Sequence, residues 1–187
     1  HALVRRQRQM CIRDSIYAKS KSDGEQKVIS SNPSSLIVRT NFFGWGNNRK
    51  LSITDWIISN LINNIEINAF EDVFFTPVLI EDLVTCIYML REVNAKGVYN
   101  IAGQDRISKY NFAVETAKIF SLNKNLIKKA SIDNYKSIAK RPYDMSLSSK
   151  KLNKKINYIP QNISISLQRL KLQLSDDTYK NIINRFM

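Results

Sequence analysis

Residues 17–26 read YAKSKSDGEQ, and their reading decides how the rest of the chain is interpreted. Tyr17 and Lys21 stand four apart at the start of a predicted helix, one turn from each other, so they share a face. An ammonium beside a phenol favours the phenolate and readies the hydroxyl for proton transfer, which is what an acid in carbonyl reduction must do. In a chain this rich in lysine such a pair is, taken alone, more often a solvated surface contact. None of the other tyrosines is followed by lysine at the same spacing. Outward from this pair, the helix is predicted from residue 16 to about 27, ending before a turn signal over residues 30–35 that contains Asn32-Pro33. SLIVR over residues 35–39 then reads as a short β-branched strand, of the kind that a parallel sheet covers on both faces.

The composition bounds the class. The chain has 187 residues, 43% of them hydrophobic, enough to bury one core, and no apolar run is long enough to span a membrane. The formal charge of +13 raises nucleic acid as a partner, but the lysines are spread along the chain among many Asn and Ile, so no nucleic acid is expected. Cys11 and Cys86 are too few for a disulfide framework, which points to a reducing, cytoplasmic setting. Residues 1–14 are set aside: VRRQRQMCIRDS looks like the conceptual translation of a sequencing adapter rather than a targeting segment. Without Arg5, Arg6, Arg8, Arg13 and Asp14 the formal charge falls by three from +13, and His1, the single histidine, is lost. A Ser-His-Asp triad, a Cys-His dyad and a His-ligated metal site are then excluded from the remainder, and no metal is expected.

Further along, FGWGNNRK at 43–50 is a loop, too poor in glycine to cradle a phosphate. Residues 51–63 repeat apolar residues at Ile53, Trp56, Ile57 and Leu61, an amphipathic helix with Ser52 or Thr54 available as its cap. Two short strands, or one strand with a break, are expected within 65–75. GVYNIAG at 97–103 reads as a strand with Gly at both ends. Ser108 suits the cap of a helix whose Tyr110, Phe112, Ala113, Ala117 and Phe120 face the core. LIKKASI is a short strand. SISLQRLKLQL and DDTYKNIINRF are two more amphipathic patterns, with Asp176 or Asp177 placed to cap the last.

Tyr-x-x-Ser-Lys followed by Gly24 and Glu25, then a helix end and the strand SLIVRT, resembles the active-site helix of the extended short-chain dehydrogenase/reductase family. The similarity runs from about residue 15 to 153 and is nearest to sugar-nucleotide reductases of the dTDP-4-dehydrorhamnose type, with AKRPYDMSL at 139–147 as its second motif. Thr76-Pro77 followed by VLIEDLVTCIYML resembles the family's strand-to-helix passage, in which Asp82 begins a long helix. The fold it implies is α/β: the C-terminal part of a Rossmann-like doubly wound parallel sheet plus a small α/β substrate-binding lobe over residues 15–187. The implied reaction is NADPH- or NADH-dependent reduction of a nucleotide-linked 4-keto-6-deoxy sugar. In it Tyr17 gives the proton and Lys21 activates Tyr17, both also contacting the cofactor. Thr40 and Asn41 lie where the family's strand ends at the cofactor, and Phe42 falls where the family sets a large aromatic against the sugar. Arg141 is suited to grip a substrate phosphate, or is an ordinary surface arginine. A homodimer is one assembly that the resemblance allows. The chain departs from the family in having no Gly-x-x-Gly-x-x-Gly turn after a first strand and no upstream Ser or Thr to assist the tyrosine. The expectation is therefore the C-terminal part of such an enzyme, inactive by itself. An extended-family epimerase or dehydratase, and a non-catalytic nucleotide-binding regulatory member, are the alternatives.

Overall fold

The structure, a computed structural model, describes residues 16–47, 50–135 and 142–175. Residues 1–14, Arg141, Asp176, Asp177 and the DDTYKNIINRF pattern lie outside the described residues. The first helix, α1, spans Ile16–Ser31, and none of its residues is buried. It runs past the expected end near Lys27. Proline disfavours the helical conformation in the residue before it, so the stop falls at Asn32, ahead of Pro33, and not earlier.

After a turn in which the Asn32 side chain accepts from the Ser34 N–H, β1 (Leu36–Thr40) lies parallel to β6 (Gly97–Ile101), with Leu36 opposite Gly97 and Thr40 opposite Ile101. Two further parallel pairs join β2 (Phe42–Phe43) to β5 (Val78–Leu79) and β3 (Ile67–Phe70) to β8 (Ile127–Ala130). One antiparallel pair joins β4 (Phe74–Phe75) to β7 (Ile107–Ser108). Parallel pairing demands crossovers, and the helices between the strands supply them. The expectation of a strand covered on both faces needs correcting at β1. Its residues are half-buried or exposed, because α1 buries nothing against it and β6 is its one paired neighbour among the described residues.

The helix α2 (Ile53–Ile62) starts at Ser52, whose hydroxyl accepts from the Asp55 N–H while the Asp55 carboxylate accepts from the Ser52 N–H at 2.7 Å. That capping box settles the choice between Ser52 and Thr54. The same carboxylate takes the Gly46 N–H at 2.7 Å, and a Cβ on Gly46 would stand 2.3 Å from it, so the preceding loop can close here only with glycine. Trp56, expected inward, is 40% exposed, whereas Ile58 is fully buried on the helix's other flank. Two helices follow: α3 (Ile80–Glu92) with Asp82 in its first turn, and α4 (Lys109–Ile119), which Ser108 caps by accepting from the Asn111 N–H. The last two are α5 (Lys150–Ile156) and α6 (Ile163–Leu172).

The larger core lies where α2, α4 and α6 close on β3 and β8. Phe112 sits at its centre, edge-on to Phe43 and Phe75 with both ring centroids at 5.4 Å. A smaller core under β1 and β6 gathers Leu83, Cys86, Leu90, Ile101 and Leu152. Burial and the nearby Asp82 carboxylate push the Cys86 thiol up to about 12, so it packs as an inert apolar group. The carboxylate of Asp82 is itself buried and ties the cores together, accepting from Arg169 at 2.5 Å, from the Gln161 N–H at 3.1 Å and from the Tyr158 hydroxyl at 3.3 Å.

Candidate active site

Tyr17 and Lys21 share the face their spacing predicts: the Lys21 ammonium stands 5.5 Å from the centre of the Tyr17 ring. Both are exposed. Glu25, one turn beyond Lys21, takes both ends of the Arg39 guanidinium, at 2.8 and 2.5 Å, and this pairing raises the Arg39 pKa further. Arg39 is the penultimate residue of β1. The chain reverses between α1 and β1, so the residues before Glu25 project past the strand's carboxyl end, and eight helical residues carry Tyr17 about 12 Å beyond Glu25 along the axis. Thr40, Asn41 and Phe42 leave the strand toward that end. Ligands bind outside the carboxyl ends of the strands in open α/β sheets.

What lies there is specific. The Thr40 hydroxyl is buried and has no hydrogen-bond partner among the described residues. Asn41 donates from its side chain to the Met145 carbonyl at 2.8 Å. Phe42 is 60% exposed, a large ring turned outward at the strand's end. No hydrogen bond among the described residues joins Tyr17 or Lys21 to these three, so the two groups face one region without touching. Met145 also lines an apolar pocket of about 420 Å³, walled by Trp56 and Ile57 of α2, Ala69 and Phe70 of β3, and Lys109 at the first position of α4. Pro142, next to Arg141, is part of its rim. Arg141 itself lies outside the described residues.

Sequence reasoning passed over three of these features. The pairing of Glu25 with Arg39 crosses from helix to strand and leaves no local pattern. The Asn41–Met145 contact spans 104 residues of chain. Lys109 did carry a signal, since a cation at the first position of a helix opposes the positive end of the helix dipole, a placement that asks for a reason.

Parallel strands joined through helices, with a Tyr/Lys pair that projects past the carboxyl end of β1, and the family match of residues 13–174 make this a Rossmann-like α/β protein of the extended short-chain dehydrogenase/reductase superfamily. Residues 13–174 match the family described as the RmlD substrate binding domain, and the chain belongs to that family. A dTDP-4-dehydrorhamnose reductase of Aggregatibacter actinomycetemcomitans is 24% identical over 169 residues, covering 83% of this chain and 56% of that protein. The crystal structure of the dTDP-4-dehydrorhamnose reductase of Bacillus anthracis in complex with NADP superposes with a TM-score of 0.76 at 24% identity, over 84% of this chain and 55% of that one. The beta subunit of methionine adenosyltransferase 2 of Xenopus laevis is 25% identical over 147 residues, 74% of this chain and 43% of that protein. The chain thus spans about half the length of the curated relatives it matches.

Proposed function

We propose that this chain provides the active-site helix and substrate lobe of an NAD(P)H-dependent reductase acting on a dTDP-linked 4-keto-6-deoxy sugar. The observation that carries the reading is the Tyr17–Lys21 face, held by Glu25 and Arg39 so that it projects past the carboxyl end of β1, the end at which Asn41 bonds to Met145 of the pocket wall. The match of residues 13–174 to a substrate-binding family supports it. So do relatives whose names state this reaction.

The residues present fit a dinucleotide. Thr40 offers a buried hydroxyl without a partner, and Lys21 has no carboxylate bound to it among the described residues. Thr40, Asn41, Tyr17 and Lys21 would hold its nicotinamide end, and the bound cofactor supplies the hydride. Tyr17 donates its hydroxyl proton to the oxygen of the forming alkoxide, and Lys21 favours the resulting phenolate. Phe42 offers its face to the sugar, and Arg141 takes the substrate's phosphates. The pocket beside Met145 takes the flat, apolar part of the nucleotide. The remainder of the reading is a cytoplasmic homodimer without nucleic acid, and a chain inactive on its own.

The test is NADPH oxidation on addition of dTDP-4-keto-6-deoxyhexose, in a protein where this chain continues the dinucleotide-binding half of a matched reductase. Tyr17→Phe removes the acid and keeps the ring. Turnover should fall by about two to four orders of magnitude, the range for a positioned acid. Lys21→Met should lower kcat and raise the cofactor KM together. Turnover of Tyr17→Phe within about threefold of wild type, far inside that range, would refute the assignment.

One observation favours a second reading. A relative of this chain is named as the beta subunit of methionine adenosyltransferase 2, which supports a subunit role beside the reductase reading. A regulatory nucleotide-binding member would bind the dinucleotide and be indifferent to Tyr17→Phe.

A further inference from the structure

Lys109 does not belong in an ordinary core. Its side chain lines the apolar pocket with Ile53, Ile57, Phe70, Val73 and Met145, and its ammonium lies 3.4 Å from the centre of the Phe75 ring. Phe75 is itself buried. No carboxylate pairs with Lys109 among the described residues, in contrast to Lys128 and Lys129, which pair with Glu66 and Glu71 on the surface. The Phe75 ring face is the one partner of the ammonium among the described residues, and an aromatic face replaces only part of the water an ammonium loses. Burial accordingly pushes Lys109 down to about 8. The first turn of α4 adds the positive end of the helix dipole at this wall, where the Asn111 N–H is taken by Ser108 and the Lys109 N–H by the Val73 carbonyl. An isolated, half-buried cation on the wall of an otherwise greasy cavity is costly until an anion enters.

We propose that Lys109 is a specificity-determining cation of this pocket: it pairs with the phosphate part of a nucleotide-linked sugar, so that the pocket prefers a nucleoside diphosphate to the uncharged nucleoside. This rests on the nucleotide-sugar reading above and deepens it. The apolar walls take the base whether or not phosphate follows, so the two parts of the ligand are read by different residues. Trp56, Ile57 and Phe70 read the flat apolar end, and Lys109 reads charge.

The experiment is calorimetric titration of the full chain with dTDP and, separately, with thymidine, for wild type, Lys109→Met and Lys109→Arg. Wild type should bind dTDP about ten- to a hundredfold more tightly than thymidine, the range expected of a hydrogen bond to a charged group. In Lys109→Met that preference should fall by about tenfold, the low end of this range, since Arg141 of the proposed site remains, with thymidine affinity unchanged or improved. Lys109→Arg should retain it, which separates charge recognition from packing. A preference for dTDP in Lys109→Met equal to that of wild type would overturn the inference and leave the nucleotide-sugar reading standing. Failure of wild type to bind either ligand would overturn both.

Discussion

Arg169→Met removes one partner of a carboxylate that cannot reach water. The Asp82 side chain is 2% exposed, and Arg169, whose side chain is 39% exposed, makes the shortest of its three contacts through its guanidinium. Removing one half of a buried ion pair typically costs about 3–5 kcal/mol, because the other half keeps its charge and loses its compensation. Two donors remain on Asp82, the Gln161 N–H and the Tyr158 hydroxyl, and Arg169 is partly solvated, so the lower end applies: about 3 kcal/mol. For a chain of this size that corresponds to a Tm lower by roughly 6–12 °C. The assay is urea denaturation followed by tryptophan fluorescence, with the same measurement on Asp82→Leu and on the double variant. Asp82→Leu and Arg169→Met combined should lose less than the sum of the single changes by more than ~1 kcal/mol, since the double variant leaves no charge stranded. A loss below ~1 kcal/mol in Arg169→Met, together with additive single changes, would show that Asp82 is served by its other donors and that the pair does not hold α6 to α3.

Three other outcomes are expected. The ammonium of Lys109 drops from the ordinary 10.5 to about 8 in the folded chain. Between those values the unfolded chain holds a proton the folded chain has released, so stability rises as pH climbs through that window. Lys109→Met should abolish this rise and stabilise the chain near pH 7 by at most ~3 kcal/mol; a pH–stability curve identical to wild type would refute it. Deleting residues 1–14 should leave Tm unchanged, and a loss of several degrees would refute the adapter reading. The third is the kinetic split stated above for Tyr17→Phe and Lys21→Met.

The sequence made the fold legible where periodicity and punctuation agree. Ser108 before an apolar helix, Gly97 and Gly103 at the two ends of a short strand, and Asp82 at a strand-to-helix passage all announced elements that the structure contains. It misplaced what depends on distant partners. Trp56 fits the helical period of the buried residues, but its ring lies at the edge of a pocket formed by residues 68–73 and 142–145, which no local pattern reveals. The strand at 35–39 looked fully covered because β-branched composition reports what a strand can bury, and coverage depends on its neighbours. At the candidate site the Tyr17–Lys21 spacing was readable because one helix carries both residues. The alignment of that helix to β1 was not, because it depends on Glu25 meeting Arg39 across a turn.

The two halves of the candidate site are held with unequal strength. The pocket walls come from α2, α4 and β3, elements that share the larger core with Phe112 at its centre, so the geometry around Lys109 is set by close packing. The Tyr17–Lys21 face rests on a helix that buries no residue and is tied to β1 through the ion pair of Glu25 and Arg39. A helix of about this length is marginal without packing, and an ion pair this exposed contributes roughly 0–1 kcal/mol. Recognition of the nucleotide should therefore be built into this chain and insensitive to changes at Tyr17. Proton transfer requires α1 to be fixed to within about half an ångström, a precision that its contacts here do not supply. On the proposed reading, binding of the nucleotide to the lobe and ordering of Tyr17 are thus separable steps, and a surface that packs against α1 would control the second without altering the first.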